Sequence, residues 1–393
     1  MTNPTNFRSS RSAMTDHPYD HFQILRGVAC LMVFLNHVAG LLSGGLEGPA
    51  TWYGPLLVPL GFPWVWLFLI LSGFLLTKQF VDGRTRLTSS GILNFYKRRC
   101  RRLLPMLWFA PLLLGILYSC NIWSPLLPAF SPLQETKVAL ALPWVPYLEA
   151  GNPVSTANSP VWSAVLEVHY FVILPLLLLL TGMSSKAILL LVGGWAMAIA
   201  GLAVHVVLYG SPAIFPMIYQ QHFYNGGFML AGCAIALLKI RPYPVSWWWP
   251  VSAVFALIVA TQYLANYDLN IALAVLPLVA APAFAFLVIQ SISDRQAAVP
   301  TSLRALRLAR GPLRWLELAG MMSYSIYLLH KPLSYIAIAQ LRIAGDAETL
   351  LSLLVKTLAT GALIAPVIVL SFVFVEHKFR HRGLSKPASM TKV

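Results

Sequence analysis

Charged side chains are scarce in this sequence. Only 10% of the 393 residues are Asp, Glu, Lys or Arg, whereas 58% are hydrophobic. A soluble domain needs about a quarter of its residues charged to keep its surface compatible with water. The composition therefore excludes an ordinary soluble globular protein. It predicts a chain that places most of its length inside a membrane.

Cysteine is equally rare, and its four positions are far apart. They are Cys30, Cys100, Cys120 and Cys233. No Cys-x-x-Cys pair and no Cys/His spacing typical of a metal site occurs, so the sequence predicts neither a disulfide framework nor a bound metal. We also expect no resident cofactor.

Acidic residues number only 13, against 28 Lys and Arg, which gives a net charge of +15. The basic residues lie between apolar runs and do not form a separate basic domain. This pattern is typical of topology determinants and of sites for anionic ligands or lipid headgroups. Membrane lipids are therefore expected partners, and nucleic acid is not.

The apolar runs predict an all-α, polytopic integral membrane protein. At about 20 apolar residues per crossing, the chain has room for roughly ten spans joined by short loops. We expect a ten-helix membrane domain over 24–376, between a cytoplasmic N-terminal segment (1–23) and a basic cytoplasmic tail (377–393). The predicted spans are 24–43, 56–77, 103–121, 161–181, 187–208, 223–238, 247–264, 270–290, 319–341 and 351–374.

The distribution of Lys and Arg predicts the orientation of these spans. If both termini are cytoplasmic, 24 of the 28 basic residues fall on the inner side. Only Lys137 and Arg342 then lie outside, and two more lie within spans. This asymmetry favours a multi-pass protein of the inner (cytoplasmic) membrane with both ends in the cytoplasm. The longest outer loop would be 122–160.

Two polar residues share one face of the first predicted span. Arg26 and His37 are eleven residues apart, which places them about 20° from three whole turns and roughly 16 Å apart along the axis. Arg26 would sit at the cytoplasmic mouth and His37 in the outer half of the membrane. Ionisable groups inside spans are functional candidates. The alternative is a topology anchor and a helix-packing histidine.

Two more polar residues reach a similar depth from other spans. Glu167 lies roughly 7–8 Å below the outer end of its helix, and His330 follows about a dozen residues of a helix that rises from the inside. A carboxylate beside an imidazole fixes its tautomer, as a general base requires. The alternative is a polar network that only holds helices together. We expect His169 to be a packing residue.

A dense basic run, FYKRRCRRLLP, precedes the third predicted span. Such a run is commonly a cytoplasmic flank that binds lipid headgroups. Guanidinium groups at this density can also grip phosphates. Its cations are Lys97, Arg98, Arg99, Arg101 and Arg102.

Five ordered motifs resemble those of the acyltransferase-3 family of integral membrane acyltransferases. RGVACLMVFLNH is similar to its Arg-x10-His signature, and FLILSGFLLT to its SGF segment. FYKRRCRRLLP resembles its basic segment before a proline. VWSAVLEVHYFVILP resembles its WS-x3-E segment, and SYSIYLLHKPL its SY-x2-YL-x-H-x-P segment. The resemblance covers nearly the whole chain.

The sequence departs from the family pattern at two places. The sixth span lacks an arginine in HFYNGGFMLAG. The final motif, Val375 to Lys378, lacks its proline, so we carry over no role for Glu376.

The resemblance implies transfer of an acyl group, often acetyl from acetyl-CoA as co-substrate, to a hydroxyl of an envelope glycan or a lipid-linked sugar. His37 would be the general base or a transient acyl carrier, oriented by Glu167. The donor would be held by Arg26 together with some of the arginines of the basic run, which are Arg98, Arg99, Arg101 and Arg102. Ser72 and Gly73 would permit close approach of the donor arm to the backbone; the alternative is that this pair only marks the C-terminal break of a helix. The pocket would include Trp162, Ser163, Tyr324 and His330.

Two other functions remain open at this point. A transporter or flippase for glycan precursors would need a broad polar pathway, whereas the spans carry few charges and no visible repeat. A non-catalytic membrane scaffold would leave the convergence of His37, Glu167 and His330 without a purpose. Only an enzyme would hydrolyse or transfer the label of acetyl-CoA.

Overall fold

Every regular element in the described part of the chain is helical, which confirms the all-α prediction. The predicted N-terminal segment and C-terminal tail lie mostly outside the described residues. The computed structural model describes residues 20–43, 60–127, 129–140, 160–210, 221–238, 240, 246–296, 310–343 and 349–381.

The helices follow the order of the predicted spans. The last long helix, α12, continues through a π-helical segment, Phe372–His377, into a final turn, α13 (Lys378–His381). The preceding helices are α1 (His21–Leu42), α2 (Phe62–Val81), α3 (Ser89–Ser119), α4 (Pro132–Ala139), α5 (Val161–Leu180), α6 (Ser185–Tyr209), α7 (His222–Leu237), α8 (Trp248–Tyr267), α9 (Leu269–Gln296), α10 (Arg310–Met321), α11 (Ser323–Leu341) and α12 (Leu350–Ser371).

Eight of these helices are long and apolar enough to cross a membrane. The other two predicted spans are also helices, α7 with 16 residues and α11 with 19, but they are not among these eight. The protein is therefore polytopic, while the number ten stays a prediction. Lipid-facing surface is evident on α6, where Leu190 and Met197 are more than three-quarters exposed. Exposed apolar side chains of this kind are compatible with contact to lipid acyl chains but are unfavourable in contact with water.

Two predicted boundaries differ from the structure. The third span was expected to begin at residue 103, but α3 begins at Ser89, so the basic run is part of the helix. The span 319–341 is divided at Met322 between α10 and α11. α10 packs against α1, where Gly27 lies against the carbonyl of Leu316. Hydropathy alone did not separate this short amphipathic helix from the span that follows it.

Small residues bring α2 and α7 into close contact. A Cβ atom on Gly73 would overlap the carbonyl oxygen of Met229, and one on Gly232 would overlap that of Ile70. Small residues allow this approach of helix backbones in membranes. The structure thus corrects the role predicted for Gly73, because α2 runs through this position without a break and the glycine contacts a helix, not a cavity.

We expect Gly73→Ala to destabilise the fold by about 1–3 kcal/mol, because the added methyl group forces two packed backbones apart. Gly193→Ala is the matched control, since Gly193 also lies in a helix but has open space around its Cβ position. The measurement is the thermal unfolding midpoint of each purified variant in detergent. Equal midpoints for the two variants would contradict this packing role.

Candidate active site

A cavity lies between α1, α2, α3, α5 and α11. Its polar lining comes from helices that are far apart in the sequence, so only the folded protein brings these side chains together. Six residues selected from the sequence line this cavity: Arg26, Ser72, Arg102, Ser163, Glu167 and Tyr324.

Two guanidinium groups of the cavity, one buried and one partly buried, have no direct counter-charge among the described residues. Arg26 is only 6% exposed, and the Nε atoms of Arg26 and Arg102 have no hydrogen-bond partner among the residues that the structure describes. Within the described ranges, neither arginine has a carboxylate within 4 Å. Arg26 is attracted by the more distant Glu167 and Glu376 and repelled by Arg102. Because an uncompensated buried charge is costly, this cavity is suited to an anionic ligand.

Glu167 belongs to this cavity and not to His37. Its Oε1 atom accepts a hydrogen bond of 3.0 Å from the Ser72 hydroxyl. The prediction that Glu167 orients His37 is therefore corrected. Depth along the helix axes placed the two residues at one level, but it could not give the direction in which each side chain points around its own helix.

His37 instead pairs with His330. The Nδ1 atom of His37 lies 3.0 Å from the Nε2 atom of His330, and the ring centroids are 5.1 Å apart. The predicted approach of these two histidines is thus present. His330 is 1% exposed, while His37 is partly buried.

The hydrogen bonds around the pair define both tautomers. His330 Nδ1 lies 2.8 Å from the carbonyl oxygen of Tyr327 and 3.1 Å from that of Ile326. Carbonyl oxygens only accept, so this nitrogen carries the proton and His330 Nε2 holds a lone pair. His37 Nδ1 also lies 3.0 Å from the carbonyl of Val33. Both of its neighbours are acceptors, so Nδ1 of His37 is protonated and its Nε2 holds the lone pair that a general base needs.

The basic run divides between the cavity and the surface. Arg102 lines the cavity, and Arg99 lies 5.7 Å from the Phe95 ring and interacts electrostatically with Arg102 and Glu167. Arg98 is exposed and donates a 2.7 Å hydrogen bond to Thr85, and Arg101 is exposed. The structure therefore does not place Arg98 and Arg101 in the cavity. Arg98 lies one turn further towards the helix start and is engaged by the preceding loop.

The remaining predicted pocket residues have different environments. Tyr324 lines the cavity, and its buried hydroxyl has no hydrogen-bond partner in the described part of the chain. Ser163 lines it too and contacts the Tyr327 hydroxyl at 2.6 Å. Trp162 packs against the apolar core and is not part of the lining. The two lining residues can present hydroxyl groups to a bound molecule, whereas Trp162 cannot.

Sequence reasoning missed two residues of this region, Tyr327 and Glu376. Tyr327 lines the cavity, and its ring lies 5.9 Å from that of His330. Glu376 is 1% exposed and accepts hydrogen bonds from the backbone N–H and the hydroxyl of Ser325, at 3.2 and 2.6 Å. Its charge attracts Arg102. The signals were present, since Tyr327 lies in the SYSIYLLHKPL motif and Glu376 in the final motif that lacks its proline.

His169 lies outside this site. Its Nδ1 atom is 2.7 Å from Nε2 of His222, and the two rings stack with centroids 5.0 Å apart. This contact joins α5 to α7 and agrees with a packing role. In the part of the chain that the structure describes, no cluster of three or more His, Cys, Asp or Glu side chains could hold a metal ion.

The fold and the site define an integral membrane protein in which a cationic cavity lies beside a pair of histidines. Residues 20–376 match the family described as "Acyltransferase domain". The match spans nearly the whole chain, so the protein belongs to this family and is a membrane acyltransferase that transfers groups other than aminoacyl groups. Comparison with curated proteins and with solved structures gives no match.

Proposed function

We propose that this protein is an O-acyltransferase that moves an acyl group, in the first place acetyl, from cytoplasmic acyl-CoA to a hydroxyl of an envelope or exported glycan. One observation carries the proposal. The cationic cavity and the histidine pair are neighbours, because Tyr327 lines the first and contacts the second. A donor bound in the cavity could therefore present its thioester to His37.

The charges of the cavity suit the donor's nucleotide. Phosphate groups form strong, charge-assisted hydrogen bonds with guanidinium groups. Arg26 and Arg102 have unsatisfied buried Nε–H groups, and Arg99 adds a third nearby cation. The phosphates of acyl-CoA would supply the missing negative charge, and the narrow pantetheine arm would extend along the cavity towards the outer half of the membrane.

The proposed reaction uses the lone pair on Nε2 of His37. This nitrogen removes the proton from the acceptor hydroxyl while the hydroxyl oxygen attacks the thioester carbonyl carbon. A C–O bond forms, the C–S bond breaks, and CoA leaves as a thiolate that receives the proton from His37. His330 stabilises the transient imidazolium, because its Nε2 lone pair accepts the Nδ1–H of His37. Such a positioned base contributes about 10²–10⁴-fold to the rate.

The acceptor function is tested by comparing cells with and without the gene. Mass spectrometry of their surface polysaccharides and lipid-linked sugars should find an ester-linked acyl group only when the gene is present. Purified protein should also transfer or hydrolyse the label of acyl-labelled acetyl-CoA. A protein that does neither, yet moves a glycan precursor across vesicles, would be a flippase, and the proposal would fail.

We further propose an inner-membrane location with both termini in the cytoplasm, on the basis of the 24-to-2 distribution of basic residues. Two exposed positions at opposite ends of α3 test this orientation. A protein with Cys120 as its only cysteine should react with a membrane-impermeant maleimide in intact cells. A protein with only Arg84→Cys should react after permeabilisation. The reverse pattern of labelling would contradict the orientation.

A further inference from the structure

Glu376 is a buried carboxyl group that the proposed reaction does not use. Its side chain is 1% exposed, and its Oε2 atom accepts hydrogen bonds from the backbone N–H of Ser325 at 3.2 Å and from the Ser325 hydroxyl at 2.6 Å. The shorter distance is typical of a hydroxyl that donates to an ionised carboxylate. Glu376 therefore places a negative charge in the interior of the helix bundle.

This negative charge lies close to the cavity but outside its lining. Ser325 directly follows Tyr324, which lines the cavity, whereas Glu376 itself does not. The Glu376 carboxylate attracts the cavity arginines Arg102 and Arg26. In the described part of the chain it forms no ion pair within 4 Å with either of them. Glu376 thus acts on the cavity through its charge and does not occupy the guanidinium N–H groups.

We propose that Glu376 limits the affinity of the cavity for CoA, because its charge offsets part of the positive charge of Arg26 and Arg102. The inference rests on the proposed function and adds to it a residue that sets how tightly donor and product are held. Acetyl-CoA and CoA carry the same phosphate groups, so uncompensated cations would hold the product as firmly as the donor. A nearby carboxylate that does not touch the ligand weakens both complexes. This favours release of the product, a step that limits turnover in many enzymes.

Glu376→Gln removes the charge and keeps an oxygen atom that can accept both hydrogen bonds from Ser325. We expect this variant to bind CoA about three- to tenfold more tightly than the unsubstituted protein, which is the effect of one partly screened charge. The KM for acetyl-CoA should fall by a similar factor. Loss of a merely structural residue would not give this result, because damage to the cavity weakens binding.

Glu317→Gln is the matched control. The Glu317 carboxylate also accepts a backbone N–H bond from a neighbouring segment, that of Asp20 at 3.1 Å, but among the described residues the charges that act on Arg26 do not include it. This variant should bind CoA with unchanged affinity. Glu376→Asp keeps the charge and should stay close to the unsubstituted protein.

The measurement is calorimetric titration of CoA into each protein in lipid nanodiscs, with the unfolding midpoint as the check that the variant is folded. Glu376→Met removes the charge at a similar side-chain volume and takes the place of the glutamine variant if that one does not fold. Unchanged or weaker binding of CoA by the folded, charge-free variant would overturn this inference alone. If the unsubstituted protein binds neither CoA nor acetyl-CoA, the proposed donor is wrong, and this inference fails with it.

Discussion

His37→Ala is expected to lower acyl transfer by about 10²–10⁴-fold, while the protein still inserts into the membrane and still binds acetyl-CoA. An alcohol is a weak nucleophile at neutral pH, so its proton must leave as the new bond forms. His37 Nδ1 faces two acceptors, the carbonyl of Val33 and His330 Nε2, and this leaves Nε2 as the basic nitrogen. Donor affinity should change little because His37 does not line the cavity.

Two further histidine substitutions separate chemistry from packing. His330→Ala should impair transfer less than His37→Ala, because the Val33 carbonyl still orients the base. His169→Ala should be nearly silent, since His169 pairs with His222 outside the site. The measurement is transfer of labelled acetyl at matched membrane expression. Near-normal activity of His37→Ala together with loss of activity in His330→Ala would assign the base to His330.

Arg26→Gln and Arg102→Gln are each expected to weaken acetyl-CoA binding by about tenfold or more, since a hydrogen bond to a charged group contributes about 1.5–3 kcal/mol. Binding of acetyl-CoA to protein in lipid nanodiscs measures this by calorimetry. Arg98→Gln and Arg101→Gln are the matched controls, because they remove the same charge from exposed positions of α3. Full donor affinity in both cavity variants would move the donor site elsewhere.

The same variants distinguish ligand binding from structural support. A buried arginine that only stabilised the fold would lower the unfolding midpoint when replaced. Arg26 has no carboxylate within 4 Å among the described residues, so its removal relieves an uncompensated charge. We therefore expect the midpoint of Arg26→Gln to stay level or rise in the absence of donor. A clear fall would indicate a structural role.

The sequence predicted the parts of this structure that depend on position along a helix. Scarce charge and apolar runs predicted the all-α membrane fold, because the length of a span follows from the thickness of the bilayer. The separation of eleven positions from Arg26 to His37 predicted that the two side chains occupy different ends of one site, and the structure places Arg26 in the cavity lining and His37 outside it. Counting from the start of the predicted span 319–341 also placed His330 at a depth similar to that of His37, and these two side chains do meet.

The sequence could not predict what depends on rotation about the helix axes. Glu167 reaches a suitable depth, but it turns towards Ser72 and the cavity arginines. The two arginines at positions 101 and 102 are likewise equivalent in sequence, and only the packing of α3 decides that Arg102 lines the cavity while Arg101 stays exposed. The glycine contact between α2 and α7 fixes part of this rotation, and it involves residues more than 150 positions apart.

The π-helical segment at Phe372–His377 has a consequence for relatives of this chain. A π-helical turn amounts to one extra residue inserted into an α-helix. Loss of a single residue there would restore regular α-helix and rotate every later side chain by about 100°. Glu376 would then leave Ser325 and Arg102, without any change in hydropathy. Relatives that keep or lose the contact of this acidic group should therefore differ by one-residue insertions or deletions near the C-terminus. An alignment based on apolar runs alone would miss such differences.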